Sequence, residues 1–155
     1  MTTYLIIGNG VAGNSAAEAI RRIDPQGKIL MFSGQRNHFY YVPALPEYLA
    51  GEKQVKDFTI HNEKWYEKNG INLHLETEIV EIDSRQKAAF AKGGKRFPYD
   101  KLLLSCGGSS FIPPIPGCRS DGVFTLRTIA DADAIRERAK QSQRAVMIGG
   151  GLLGL

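Results

Sequence analysis

The chain has 155 residues, of which 43% are hydrophobic and 23% are charged, and it carries a net charge of +4 with a pI near 9.1. This composition is typical of a soluble globular protein and excludes collagen, a coiled coil and an intrinsically disordered chain. The length predicts one domain with a buried core and does not fit a two-domain enzyme. Because basic and acidic residues are interleaved and form no basic stripe, we predict a mildly basic surface, leave acidic proteins open as partners and expect no nucleic-acid binding.

The first 32 residues predict a strand, a helix and a second strand. Residues 4–7 are all apolar and too few for a helix, which predicts a buried parallel strand. Small and apolar residues then recur at helical spacing over Val11–Ile23, and Lys28–Phe32 is the next apolar run. A right-handed crossover pairs two such strands in parallel.

The rest of the chain predicts further strands, short helices and one long aromatic-rich loop. The loop covers residues 38–46, and loops of this length are usually functional. Helices are predicted over residues 47–50, 61–69 with Gly70 as the C-cap, and 130–140. Strands are predicted over residues 71–75, 78–82, 88–91, 96–97, 102–104, 123–126 and 145–148, with Gly93 and Gly94 forming the turn of a hairpin. We therefore predict an α/β fold, with a Rossmann-like parallel sheet and an inserted antiparallel β-hairpin region.

A glycine motif joins the first strand to the first helix. Gly8, Gly10 and Gly13 match the pattern G-x-G-x-x-G. In this pattern the first glycine makes a tight turn, the second lets a pyrophosphate approach the backbone, and the third lets the helix pack closely on the sheet. The N-terminus of the helix also presents free N–H groups and a partial positive charge. The motif predicts dinucleotide binding, with a purely structural glycine turn as the alternative.

Two departures from the usual pattern accompany this motif. The acidic residue expected about 20 positions later is replaced by Ser33, whose hydroxyl can still bond a ribose but without a charge. A second motif at Gly149, Gly151 and Gly154 follows the apolar run 145–148, but only Leu155 remains after it. Without a helix behind it, this second motif is not expected to hold a phosphate.

Several segments together resemble the FAD-dependent pyridine nucleotide-disulfide oxidoreductase family. They are the first glycine motif and residues 99–107, 112–117, 123–128, 131–134 and 146–155, which occur in the family's order along the whole chain. The likeness is greatest to the branch of the NADH:rubredoxin reductases and the N-terminal part of nitrite reductase large subunits. It implies a partial FAD/NAD(P)-binding fold. Residues 1–143 would be the first segment of the FAD-binding domain, and residues 144–155 the opening strand and truncated glycine loop of an NAD(P)H-binding domain.

The resemblance also implies a set of cofactor-binding residues, with no catalytic residue and no metal ligand among them. The FAD pyrophosphate would be surrounded by the glycine motif, that is by Gly8, Gly10, Val11, Ala12 and Gly13. Ser33 would reach the ribose, and Ile79 would meet the adenine through its backbone. The turn at Ser105, Cys106 and Gly107 would close over FAD, and Arg127 would contact the flavin cofactor. For two of these positions a simpler interpretation stays open. Cys106 could be a small buried turn residue, and Arg127 could be a surface ion-pair residue.

The resemblance implies an enzyme that passes electrons from NAD(P)H through FAD to a protein or metal-centre acceptor, such as an acidic rubredoxin or ferredoxin. Because the family's redox cysteines are absent from the first helix and from the loop at Pro43–Pro46, no redox-active disulfide is expected. The 155-residue chain alone is expected to be inactive and to bind FAD weakly or not at all, because the family's returning segment, which supports the ribityl chain and the flavin, is absent. The alternative is a non-catalytic nucleotide-binding or interaction module, either a natural truncation or a subunit completed by another chain. A homo-oligomer stays open.

The N-terminus and the two cysteines bear on location. The chain starts with a strand and without a charged or apolar leader, and no run approaches 18 apolar residues. Cys106 and Cys118 form neither a disulfide framework nor a zinc motif. We therefore expect a cytoplasmic protein that does not enter a membrane.

Overall fold

The computed structural model describes residues 1–149, which form two compact units. The first unit comprises Met1–Tyr41 and Val55–Gly108, and the second comprises Val42–Gln54 and the described residues from 109 onward. The length alone predicts one domain, whereas the described residues divide into these two units because residues 42–54 and 109–149 pack with each other. The elements are, in chain order, β1 (Thr3–Ile7), α1 (Val11–Ile23), β2 (Lys28–Phe32), α2 (Leu45–Ala50), α3 (Val55–Phe58), α4 (Glu63–Lys68), β3 (Ile71–His74), β4 (Ile79–Asp83), β5 (Ala88–Ala91), β6 (Arg96–Pro98), β7 (Lys101–Leu104) and α5 (Ile129–Ala139).

The first unit contains a parallel sheet in the order β3-β2-β1-β7 and an antiparallel sheet in the order β4-β5-β6. In the parallel sheet β1 is flanked on both sides, by β2 and by β7. Successive side chains of β1 point to opposite faces of the sheet. Leu5 packs in a cluster with residues of β5 and β6, while Ile6 packs in a cluster with Ala17 of α1 and Tyr66 of α4. Each such buried aliphatic side chain stabilises the fold by about 1.5–3 kcal/mol.

The predicted strand, helix and strand at the N-terminus are confirmed, as are the hairpin and most of the short elements. The helix predicted over residues 61–69 is shorter, because Asn62 caps it by accepting a hydrogen bond from the Trp65 backbone N–H (3.2 Å). Its C-cap is Asn69 rather than Gly70, and Gly70 follows in a left-handed conformation at φ +59°. The sequence did not predict α3.

Three predicted strands differ from the structure. The strand at 102–104 forms within β7, but β7 lies at the edge of the sheet, so it is not fully buried and Leu104 is 61% exposed. Residues 123–126 and 145–148 form no strand, and Val146 is 89% exposed. An apolar run becomes a strand only against a partner, and no described strand pairs with either segment. Of the second glycine motif only Gly149 is described, and Gly151 and Gly154 lie outside the described residues.

In the second unit α2 packs on α5. The Tyr48 hydroxyl donates to Asp133 Oδ1 (2.6 Å), and the Arg136 guanidinium lies 5.4 Å from the centre of the Tyr48 ring. A capping box opens α5: Thr128 Oγ1 accepts from the Asp131 N–H (3.1 Å), and Asp131 Oδ2 accepts from the Thr128 N–H (2.8 Å). No helix within residues 1–149 is long and apolar enough to cross a membrane.

Candidate functional site

The candidate site lies where β1 ends and the chain turns into α1. Gly10 precedes the helix in an extended conformation, and no side chain caps the helix. The first turn closes with a hydrogen bond from the Asn14 N–H to the Gly10 carbonyl (3.0 Å), so the N–H groups of Val11, Ala12 and Gly13 have no intrahelical acceptor. The first turn also holds no acidic side chain. This end of α1 therefore carries a partial positive charge and can accept an anion.

The three glycines of the motif are required for different reasons. Gly8 has φ +119°, and a Cβ there would lie 2.1 Å from the Ser105 carbonyl oxygen. A Cβ on Gly13 would lie 2.0 Å from the Gly8 carbonyl oxygen. At Gly10, in contrast, φ is −97° and no atom lies within 4 Å of the Cβ position. Packing thus explains Gly8 and Gly13 but not Gly10, where the open backbone fits the approach of a diphosphate.

The end of β7 packs against the same turn. The Ser105 N–H donates to the Ile7 carbonyl (2.8 Å), and its hydroxyl lies within hydrogen-bonding distance of the Ile7 and Gly8 carbonyls at 3.0 and 3.2 Å. Cys106 follows with its Sγ 3.7 Å from the Ile7 oxygen, and Gly107 is left-handed at φ +69°. The structure therefore brings the predicted turn and the glycine motif together. The interpretation of Cys106 as a buried residue is wrong, since it is exposed beyond the end of an edge strand.

Ser33 and Ile79 lie at the corresponding end of β2. The Ser33 N–H donates to the His74 carbonyl (2.9 Å), and its Oγ accepts from the Gln35 N–H (3.1 Å), which leaves the hydroxyl hydrogen available to another acceptor. The Ser33 carbonyl accepts from the Thr77 N–H (2.8 Å), two residues before Ile79. Ile79 packs against the cluster that contains Phe32. These contacts bring both residues to the strand end next to the glycine turn, while their roles toward adenosine stay predictions.

Arg127 lies in the second unit, directly before α5. Its backbone N–H donates to Asp131 Oδ2 (3.0 Å), as part of the start of that helix. A role of the guanidinium toward flavin stays a prediction.

Two of the three histidines are held by aromatic stacking. His61 stacks on Trp65 at a centroid distance of 3.6 Å, with its Nε2 3.7 Å from Glu18 Oε1, and His74 stacks on Phe32 at 4.7 Å. Burial lowers the pKa of both imidazoles, although Glu18 opposes this for His61. Within residues 1–149 no group of His, Cys, Asp and Glu side chains is placed to hold a metal ion.

The sequence analysis missed a polar cluster behind the glycine turn. The Tyr66 hydroxyl lies 2.8 Å from Asn9 Oδ1 and 3.0 Å from Asn14 Oδ1, and the Asn14 Nδ2 donates to Asn9 Oδ1 (3.0 Å). Burial raises the pKa of Tyr66 to about 12, so its hydroxyl stays protonated at neutral pH. The one indication of this cluster in the sequence was Asn14, a polar residue on the apolar face of α1. Nothing local pointed to Tyr66, which lies 52 residues beyond Asn14.

Comparison with known proteins extends these observations. The family described as pyridine nucleotide-disulphide oxidoreductase matches residues 2–155. Nitrite reductase [NAD(P)H] of Bacillus subtilis is 36% identical over 152 residues, which cover 97% of this chain and 19% of that protein. NADH-rubredoxin oxidoreductase of Clostridium acetobutylicum is 34% identical over 154 residues, which cover 99% of this chain and 40% of that protein. The chain thus spans about a fifth to two fifths of the length of these relatives.

A solved structure confirms the α/β fold. The crystal structure of NADH:rubredoxin oxidoreductase from Clostridium acetobutylicum superposes with a TM-score of 0.86 at 35% identity, covering 99% of this chain and 39% of that chain. The match therefore includes both the parallel sheet with its glycine turn and the antiparallel sheet. On the extent of the family match, this chain belongs to the pyridine nucleotide-disulphide oxidoreductase family.

Proposed function

We propose that this chain is the FAD-binding N-terminal portion of an NAD(P)H-dependent flavoprotein oxidoreductase. The observation that carries the proposal is the open approach to Gly10 beside three helix N–H groups without intrahelical acceptors. When bound, FAD supplies the transfer of electrons between NAD(P)H and an acceptor, and the protein supplies binding and orientation. In this proposal residues 1–143 are the first segment of the FAD-binding domain, and residues 144–155 begin an NAD(P)H-binding domain.

The residues of the site divide into those that shape the loop and those that bind. Gly8 and Gly13 let β1, α1 and the Ser105 backbone approach each other closely. The N–H groups of Val11, Ala12 and Gly13 bind the diphosphate of FAD, because charge and unpaired donors converge there. The remaining cofactor contacts that we propose are the Ser33 hydroxyl to the ribose, the Ile79 backbone to the adenine, the turn at Ser105, Cys106 and Gly107 over the cofactor, and Arg127 to the flavin.

The acceptor in this proposal is a protein or metal centre, and no redox-active disulfide takes part. Relatives of this chain are named for rubredoxin and for nitrite, which supports an acceptor of the rubredoxin or ferredoxin type or a metal centre. Cys106 and Cys118 are both free thiols. The net charge of +4 favours encounter with an acidic protein. Free thiols suit a reducing compartment, and we propose that the protein is cytoplasmic.

The variant Gly10→Asp tests this function. Its Cβ meets no neighbour and its φ is ordinary, so the fold should be unchanged, while a carboxylate would stand where the diphosphate binds. We expect FAD, titrated to saturation because the chain alone binds it weakly, to shift the backbone amide resonances of Val11, Ala12 and Gly13 in the isotope-labelled chain. We expect Gly10→Asp to weaken that binding about tenfold or more, since a charge-assisted contact becomes a repulsion.

The matched control is Asn72→Asp, which adds the same charge on an exposed position of β3. It should bind FAD as the unchanged chain does. If FAD at saturating concentration leaves the three amide resonances in place, or if Gly10→Asp binds FAD as tightly as Asn72→Asp, the proposed function is wrong.

A further inference from the structure

We propose that Tyr66 is a positioning residue for the diphosphate-binding turn and that it acts through Asn9 and Asn14; this proposal rests on the proposed function. We call the three side chains the amide lock. Asn9 lies within the glycine motif and Asn14 in the first turns of α1, while Tyr66 reaches both from α4. The lock therefore ties the glycine turn to a helix far away in the sequence.

The orientation of each amide in the lock follows from its neighbour. The Asn14 Nδ2 lies 2.9 Å from the Gly10 carbonyl, which only accepts, so this atom must be the donating nitrogen. The same nitrogen faces Asn9 at 3.0 Å, so the Asn9 atom opposite must be the accepting oxygen. The Tyr66 hydroxyl then donates to that oxygen or to Asn14 Oδ1, since it holds one hydrogen for two acceptors.

This arrangement leaves one donor unpaired. With its oxygen turned to Asn14 and Tyr66, Asn9 points its Nδ2 away from the lock, where the atom is buried and has no hydrogen-bond partner among the described residues. Buried donors without partners are rare because each one is costly. Asn9 is therefore held in an orientation that leaves its own Nδ2 unpaired. The Gly10 carbonyl fixes this orientation through the Asn14 amide, and the Tyr66 hydroxyl adds a contact to the Asn9 oxygen.

The side chains of Asn14 and Tyr66 therefore hold the backbone of the glycine turn in place. Asn14 donates to both the Asn9 side chain and the Gly10 carbonyl, so one amide contacts two consecutive residues of the glycine motif. Tyr66 is buried in the core between α1 and the sheet, which gives its hydroxyl a fixed position. Loss of this hydroxyl should let the Asn9 amide rotate and the turn relax, while the aromatic ring stays in the core.

Tyr66→Phe removes the hydroxyl and keeps the ring. We expect its dissociation constant for FAD to rise about five- to tenfold, which corresponds to the loss of one hydrogen bond. The amide resonances of Val11, Ala12 and Gly13 should also move in the ligand-free chain. Tyr48→Phe is the matched control, because it removes a hydroxyl that donates to Asp133 in the second unit. This control should leave FAD affinity and the three resonances unchanged.

A double-mutant cycle distinguishes positioning from a merely structural role. If Tyr66 acts through Asn9, Tyr66→Phe should change FAD affinity by less than about twofold in an Asn9→Ala background. The inference is overturned if Tyr66→Phe lowers the melting temperature without changing FAD affinity, or if its effect is the same in both backgrounds. If the loop resonances of the unchanged chain do not respond to FAD, both the proposed function and this inference are overturned. If they do respond, and Tyr66→Phe binds FAD with the same affinity as the unchanged chain, the inference alone is overturned.

Discussion

Two stretches of this chain share one sequence pattern and have opposite structures. Residues 4–8 and residues 145–149 are both apolar runs that end in glycine. The first forms β1, with Leu5 and Ile6 fully buried between two neighbouring strands and two packed faces. The second forms no strand and leaves Ile148 75% exposed. The pattern therefore supplies a capacity for strand formation, and the partners along both edges determine whether a strand forms.

The glycines at the ends of these stretches offer the sharpest test of the comparison. Gly8 and Gly149 have similar backbone angles, φ +119° and φ +109°, but a Cβ would meet the Ser105 carbonyl at Gly8 and open space at Gly149. We expect Gly8→Ala to lower the free energy of unfolding by about 4 kcal/mol or more, because backbone must move. Gly149→Ala should change stability by less than about 0.5 kcal/mol, because the residue is exposed and lies outside any helix or strand, so its backbone can adjust. Urea denaturation of both variants measures the difference, and equal losses would show that the close approach of Ser105 is unimportant.

A matched pair of isoleucines gives the next largest effect. Ile6→Ala empties a fully buried site in the cluster with Ile29 and Met31, and should cost about 2–4 kcal/mol. Ile148→Ala removes the same atoms from an exposed side chain and should change stability by less than about 0.5 kcal/mol. Thermal denaturation followed by circular dichroism checks both. A large loss for Ile148→Ala would mean that this side chain is buried in solution.

The smallest effect concerns pH. Burial lowers the pKa of His61, which faces Glu18, and of His74, which faces Lys28 and Lys95, below the ordinary value of 6.5. Below pH 6.5 the unfolded chain then binds more protons than the folded one. The contribution of these histidines to the free energy of unfolding is therefore complete above pH 6.5 and is lost as the pH falls below that value. We expect the melting temperature to fall between about pH 7 and about pH 5. The double variant His61→Gln, His74→Gln should show a flatter profile, and a profile as steep as that of the unchanged chain would contradict this assignment.

The sequence was sufficient to predict the structure where the determining residues lie close together along the chain. The strand, glycine turn, helix and strand of residues 3–32 were predicted with nearly the observed bounds, since hydrophobic period and glycine position act within a few residues. The strands predicted over residues 123–126 and 145–148 failed because strand pairing is decided by chain that lies far away in sequence. The short helix α3 had no pattern long enough to detect.

The candidate site shows the same division. The motif identified Gly8, Gly10 and Gly13. Only the structure shows that close packing requires Gly8 and Gly13, whereas the space around Gly10 is open. The resemblance placed Ser105 near the cofactor, and its contact with Gly8 agrees with that. Tyr66 was missed because a hydroxyl that supports a turn 57 residues earlier leaves no local trace. The assignments of Ser33, Ile79 and Arg127 to parts of FAD stay predictions.

The contact between Gly8 and Ser105 also constrains the order in which the protein matures. These residues lie 97 positions apart, and Ser105 forms one wall of the turn. During translation the end of β7 must therefore leave the ribosome before the nascent chain can complete the glycine turn at Gly8. Cofactor loading on the emerging polypeptide would be a late event, and ribosome-stalled chains that end before Ser105 should not retain the ligand.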